Sequence, residues 1–206
     1  MIAIIDYGMG NLRSVQKGFE RVGHEAVVTR EAAVITRASH VVLPGVGAFG
    51  DCMANVTRYG LVDPIHQAIQ AGKPFLGICV GFQLLFGESE EFGNHKGLGL
   101  LPGKVKAIPL SKDVASSYKI PHMGWNTIHI EKPAPPLKDI DSESYVYFVH
   151  SFYVEPTDQE LVSTQTEYGV SFASSVWKDN IFATQFHPEK SQAVGLQLLK
   201  NFGEWQ

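Results

Sequence analysis

Over the first third of the chain, apolar positions alternate between short unbroken runs and a helical spacing. Residues 2–5 are apolar without a break, which predicts a buried strand. Leu12, Val15, Phe19 and Val22 recur on one face of a helix, and Asn11 stands where it can cap the first turn. Residues 26–29 predict a second strand and residues 41–43 a third, stopped by Pro44 and Gly45. Leu61, Ile65, Ala68 and Ile69 mark another amphipathic helix, closed by Gly72. Lys73-Pro74 opens a fourth strand at 75–78 that runs into Cys79, and Phe82, Leu85 and Phe86 predict a helix directly after it. This alternation implies an α/β fold with a mixed, mostly parallel sheet and helices on both faces.

Beyond Gly87 the pattern changes. Gly93, Gly97, Gly99 and Gly103 read as loops. Strand-like runs follow at 105–108, 127–130, 145–154, 170–177 and 181–186, with Lys178-Asp179-Asn180 as a turn between the last two. The proline-rich stretch 132–136 reads as a surface connection. Ser191 is placed to cap a final helix that aligns Val194, Leu198 and Phe202. With no internal repeat and no low-complexity linker, one domain spanning residues 1–206 is expected.

Composition narrows the picture. The 206 residues are 44% hydrophobic and 18% charged, with a net charge of −4 and no long run of one sign, so bulk electrostatics give no reason to expect nucleic-acid binding. The opening apolar run is too short for a signal peptide, and no stretch reaches the roughly 20 apolar residues of a membrane helix. Two well-separated cysteines, Cys52 and Cys79, fit a reduced cytoplasmic protein better than a disulfide scaffold.

Candidate chemistry gathers in three places. In Gly77-Ile78-Cys79-Val80-Gly81 a thiol sits between a strand and a helix, with glycines that permit a sharp turn. The helix N-terminus would favour a thiolate and a developing oxyanion. A buried core cysteine is the competing reading. In Gln185-Phe186-His187-Pro188-Glu189 a histidine ends an apolar strand, Pro188 biases it toward extended geometry, and an acid follows that could orient it. Alone, this segment reads equally as a surface turn. Pro44-Gly45-Val46-Gly47 follows a strand and belongs at the same carboxyl edge of the sheet, where open α/β sheets put their sites. Its competing reading is a plain turn. An oxyanion needs two donors: the Val80 N–H, next to the nucleophile, and the Val46 N–H are the candidates. Freedom at Gly45 and Gly47 would let the Gly45–Val46 peptide rotate in and out of position.

Gly-Ile-Cys-Val-Gly-Phe-Gln with a distant His-Pro-Glu resembles the class I, or triad, glutamine amidotransferases, and the similarity spans the chain. Further segments resemble one branch, the glutaminase subunits of imidazole glycerol phosphate synthase. They are Ile5 to Leu12, Pro44 to Gly50, Pro121-His122-Met123-Gly124-Trp125-Asn126, His150-Ser151-Phe152-Tyr153 and Gln185 to Ser191. The resemblance implies a flavodoxin-like fold and a glutaminase. Cys79 would form a thioester with L-glutamine, His187 would move the proton and Glu189 would hold His187. Gln83, Gly45 and the backbone near Ser151 and Phe152 would seat the substrate; from the residues alone, Gln83 reads equally as an exposed helix polar residue.

The same resemblance implies a heterodimer with a (β/α)8-barrel cyclase. That partner would use the ammonia to make imidazole glycerol phosphate, for histidine synthesis, and aminoimidazole carboxamide ribotide. Met123, Trp125, Asn126 and Lys190 are the candidates for the docking face, against core packing for Trp125 and a solvated surface for Lys190. His24, His40, His66, His95, His122, His129 and His150 do not fall at metal-ligand spacings, and no phosphate-binding glycine loop is present, so neither a metal nor a cofactor is expected.

Overall fold

A computed structural model describes residues 1–109 and 118–206. The early apolar runs form β1 (Ile2–Ile5), β2 (Ala26–Thr29), β3 (His40–Gly45) and β4 (Phe75–Cys79). Later strands are β5 (Phe86–Ser89), β6 (His95–Lys96), β7 (Leu101–Ala107), β8 (His122–Ile130), β9 (Ser144–His150), β10 (Phe152–Pro156), β11 (Val162–Glu167), β12 (Ser171–Lys178) and β13 (Ile181–Thr184). The helices are α1 (Leu12–Arg21), α2 (Ala32–Arg37), α3 (Phe49–Arg58), α4 (Val62–Gln70), α5 (Val80–Gln83) and α6 (Gln192–Glu204).

Among the described residues, nine strands form one mixed sheet in the order β2-β1-β3-β4-β13-β12-β11-β8-β9. It is parallel from β2 through to β13 and antiparallel from there to β9. A four-stranded sheet, β10-β7-β5-β6, stands beside it. The chain reverses its travel across the sheet after β2, so right-handed crossovers put α1 and the helices after β2 on opposite faces. Accordingly α1 packs on α6, with Phe19 and Phe202 ring centroids 6.0 Å apart, and α2 packs on α4. Central strands β1, β3 and β4 are buried at every position, as a sheet covered on both faces requires.

Several local expectations change. β3 does not stop at Pro44: it runs to Gly45, pairing Pro44 with Ile78 and Gly45 with Cys79. β1 accompanies β3 only as far as Val42, so Pro44 lies where the strand has one open edge, a setting that tolerates proline. The helix after Cys79 is a single turn, and Phe86 already belongs to β5. Its end is fixed by the segment that returns beside it, whose Leu98, Gly99 and Leu101 N–H groups bond to Leu84, Phe86 and Leu85 carbonyls.

Asn11 and Ser191 occupy cap positions, but neither side chain caps its helix. Ser191 instead donates to the His187 carbonyl at 2.7 Å and accepts from the Tyr147 N–H at 3.0 Å. Gly103 lies inside β7 rather than in a loop, and the 145–154 run is two strands broken at Ser151. Within 132–136, Ala134 and Pro136 are buried, and the Asn201 side chain of α6 ties the Pro136 carbonyl at 3.1 Å.

Candidate active site

Cys79 ends β4 with φ 56° and ψ −112°, a left-handed conformation that costs a non-glycine residue roughly 1–3 kcal/mol unless its surroundings enforce it. The surroundings do. A Cβ on Gly81 would lie 1.8 Å from the Leu43 carbonyl oxygen, and one on Gly45 would lie 2.5 Å from Tyr7 Oη and 2.6 Å from the Gly81 nitrogen. The two strand ends therefore approach so closely that only glycine fits at either place. Because α5 spans four residues, its macrodipole is small. What it offers at Cys79 is the set of first-turn N–H groups that every helix leaves free.

His187 follows β13, the parallel neighbour of β4, in the extended conformation that Pro188 favours (φ −101°, ψ 99°). Its Nδ1 lies 2.8 Å from Glu189 Oε1, with the two side chains 2% and 1% exposed. Glu189 Oε2 has no other partner, so this buried carboxylate is committed to His187. His187 Nε2 has no hydrogen-bond partner either, and the ring borders the same cavity as Cys79. Burial alone would lower the His187 pKa. Cys79 beside the ring and, to a smaller extent, the Glu189 carboxylate outweigh burial and push the imidazole up to about 10. The arrangement is an imidazole with one nitrogen held by an acid and the other open toward a thiol.

A cavity of about 250 Å³ lies over these groups, lined by Val46, Gly47, Cys79, Val80, Gln83, Glu91, Pro121, Val149, His150, Ser151, Phe152 and His187. Gln83 is 3% exposed, which removes the solvent-facing alternative. Its amide donates to the Phe152 carbonyl and to Gln185 Oε1, both at 3.1 Å, and Gln185 in turn donates to Cys79 Sγ at 3.8 Å. Gly45 lies beneath the cavity, paired with Cys79, rather than in its wall. Val46 is 37% exposed at the rim, and Gly47 beside it has φ +105°. Burial pushes the Cys52 thiol up to about 11, so at neutral pH it is protonated, and it donates to the Val46 carbonyl at 3.6 Å. Glu91 also lines the cavity, though no sequence motif marks it. Its Oε2 accepts from the Phe49 N–H at 2.7 Å, which holds a carboxylate at the cavity edge. Nothing in the run Glu88-Ser89-Glu90-Glu91 distinguishes it from its acidic neighbours.

Met123 and Trp125 are 65% and 45% exposed on one face of β8, so Trp125 is not a core residue. Register pairs Trp125 with Tyr147 of β9, their rings 6.1 Å apart, and Lys190 Nζ lies 5.6 Å from the centre of the Tyr147 ring. Trp125 and Lys190 thus meet around Tyr147, whose carbonyl accepts the His187 N–H at 2.9 Å. Asn126 turns to the opposite face, where its amide donates to the Glu167 carbonyl at 2.9 Å. Among the described residues, no helix is long and apolar enough to cross a membrane, and no group of three or more His, Cys, Asp or Glu side chains could hold a metal.

Comparison with known proteins adds independent findings. The family model for glutamine amidotransferase class-I matches residues 3–204. The chain is 58% identical over 205 residues to the "Imidazole glycerol phosphate synthase subunit HisH" of Syntrophotalea carbinolica, covering 99% of this chain and 100% of that one. It is 56% identical to the protein of the same name from Geobacter sulfurreducens, covering 98% of each. Among solved structures, one titled "Structure of PurLQS from Thermotoga maritima" superposes with a TM-score of 0.73 over 98% of this chain and 95% of the other; at 20% identity it bears on the fold alone.

Proposed function

The chain belongs to the class I glutamine amidotransferase family, and on that premise we propose that it is the glutaminase subunit of an imidazole glycerol phosphate synthase. The observation that carries the chemistry is the grouping of a strained elbow thiol with an imidazole whose Nε2 is free and whose Nδ1 is held 2.8 Å from a buried carboxylate.

In the proposed reaction, the Cys79 sulfur attacks the side-chain amide carbon of L-glutamine while His187 holds the thiol proton. The tetrahedral intermediate collapses with cleavage of the C–N bond, and His187 gives that proton to the departing ammonia. Water then attacks the thioester, His187 takes a proton from it, and glutamate leaves with the thiol regenerated. Glu189 keeps His187 in one orientation and offsets its charge. The Val80 and Val46 N–H groups are the proposed oxyanion donors. Gln83, Ser151, Phe152 and the underlying Gly45 shape the glutamine site, and Glu91 is a fitting partner for the substrate ammonium group.

The ammonia passes to a (β/α)8-barrel cyclase bound on the face that carries Met123, Trp125 and Lys190. There it is incorporated to give imidazole glycerol phosphate and aminoimidazole carboxamide ribotide. The reading includes a single domain over residues 1–206 and a cytoplasmic heterodimer. Its test is Cys79→Ala in the complex. Synthesis from glutamine should vanish while synthesis from free ammonium salt continues. Cys52→Ala should stay within about threefold of wild type, since Cys52 does not line the cavity. Loss of both nitrogen sources in Cys79→Ala, with the complex still assembled, would contradict the reading.

A further inference from the structure

Two histidines that the triad does not use face each other across β8 and β9, His150 in the cavity wall and His122 behind it. His122 opens β8, His150 closes β9, and the register pairs them directly. They are 2% and 6% exposed. Their bonds leave one arrangement of protons. The Phe152 carbonyl can only accept, so His150 Nδ1, 2.9 Å away, carries a hydrogen. In a neutral ring, His150 Nε2 is then an acceptor, and the atom facing it at 2.9 Å, His122 Nδ1, is the donor.

That makes His122 Nε2 an acceptor, and its neighbour at 3.4 Å is the Asn126 amide nitrogen, which has only hydrogens to offer. The Asn126 amide is itself oriented, because its oxygen accepts from the Thr127 N–H at 2.8 Å and its nitrogen donates to the Glu167 carbonyl. Assigned from either end, the hydrogens agree: Asn126 donates to His122, His122 to His150, and His150 to the Phe152 carbonyl. A second proton on either ring would set two N–H groups against each other. Burial pushes both rings the same way, His122 down to about 4 and His150 to about 3.

The rings are also clamped. His122 stacks between Phe148 at 4.7 Å and Tyr168 at 3.8 Å, and the Tyr168 hydroxyl donates to the Lys119 carbonyl at 2.8 Å. The edge of Phe172 meets His150 at 5.1 Å. The relay ends on an atom that belongs to the pocket. The Phe152 carbonyl receives the His150 N–H and the Gln83 amide together, so it joins the turn after the nucleophile to the Ser151–Phe152 wall. The preceding carbonyl, Ser151, is tied by the Ile108 N–H at 3.0 Å.

We propose that His122 and His150 are positioning residues for the glutamine site: a pair of neutral, single-tautomer imidazoles that hold the Phe152 carbonyl and so fix the wall against which glutamine lies. This rests on the glutaminase reading above. The relay bonds the substrate wall directly and reaches the sulfur only through Gln83 and Gln185, so its loss acts on substrate binding before it acts on chemistry.

The test is glutamine hydrolysis by the complex with its cyclase, measured as KM and kcat separately, beside thermal melting. His150→Phe removes the donor to Phe152 and should raise KM about 10-fold, the value of one buried hydrogen bond, with kcat within about threefold. His150→Asn places an amide N–H near the Nδ1 position and should bring KM back to within about threefold of wild type. His122→Phe keeps the stack on Phe148 and Tyr168 but removes the middle donor, and should raise KM by a smaller factor. Unchanged KM in both phenylalanine variants, with only lowered melting temperatures, overturns the proposal, as does an asparagine variant no better than His150→Phe. Should His150→Phe not fold, nitrogen-15 spectra of the histidines in the wild-type complex decide: both rings as Nδ1–H tautomers at pH 7 support the relay, and an imidazolium at either position overturns it. Wild-type complex without glutamine hydrolysis would instead sink the glutaminase reading, which keeps the two failures distinct.

Discussion

β3 and β4 run side by side and bring two different kinds of strand end to one cavity. The end of β4 is closed in. Cys79 is 4% exposed, its turn is left-handed, and the backbone of β3 comes so near that Gly81 admits no side chain. The end of β3 opens outward: Val46 is 37% exposed and Gly47 takes a positive φ at the rim. Packing over-determines the thiol, whereas the second proposed oxyanion donor hangs on an exposed stretch of the rim. Turning one peptide at the looser end would leave the core intact while moving the packed elbow would disturb it, so control of the proposed oxyanion site by a partner would fall at Val46.

The largest effect expected from breaking this contrast is at Val46. Val46→Pro removes the N–H and should lower glutamine hydrolysis in the activated complex about 100- to 1000-fold, the usual value of one oxyanion donor. Glutamine should still bind by calorimetry, and Val46→Ala, which keeps the N–H, should remain largely active. Wild-type turnover in the proline variant would remove Val46 from the mechanism.

The rigid end has its own test in Glu189→Gln, which leaves the shape and removes the charge that holds His187. Turnover should fall roughly 100-fold, the lower range for general acid–base groups. Stability should respond to pH in a defined direction. The folded pKa of His187 is raised to about 10, so its charge stabilises the fold fully below the ordinary imidazole value near 6.5, and the contribution fades as pH climbs toward 10. Cys79 supplies the larger share of that rise and stays in Glu189→Gln, so the urea-denaturation gap between wild type and variant reflects the Glu189 share alone and should be widest near about pH 6 and narrow as pH rises. A gap that widened with pH would contradict a charged His187.

The smallest effects belong to the exposed face. Trp125→Ala and Lys190→Ala should weaken binding and coupling to the cyclase by roughly 1–2 kcal/mol each, between a neutral contact and a hot spot, with little change in melting temperature. A large loss of thermal stability with unchanged coupling would mean that the Trp125–Tyr147–Lys190 contact serves the fold alone.

Much of this contrast could be read in the sequence, because both strand ends are local. Apolar runs located β1 to β4, glycines flanked the elbow, and His187 and Glu189 stand two residues apart, so the geometry that joins them needs no long-range register. What escaped depended on pairing between distant segments. α3 is the exception, since Phe49, Cys52 and Val56 do recur at helical spacing, but Gly50, Asp51 and Asn55 between them and the preceding glycine turn mask that stripe. β5 ends what reads as a longer helix only because residues 97–101 return beside it. The inward turn of Asn126, against the outward turn of Trp125, follows from the two-residue period of a strand once β8 is known to begin at His122. Likewise His122 and His150 are 28 residues apart and become partners only through the β8–β9 register.

Whether Cys79 carries the acyl group of glutamine is decided by acid-quenching the working complex with glutamine and mapping the chain by peptide mass spectrometry. One glutamyl adduct is expected, on the peptide that holds Cys79 and not on the one that holds Cys52. The adduct and glutamine hydrolysis should disappear together in Cys79→Ala. An adduct on another residue, or hydrolysis that survives in Cys79→Ala, would contradict that role for Cys79.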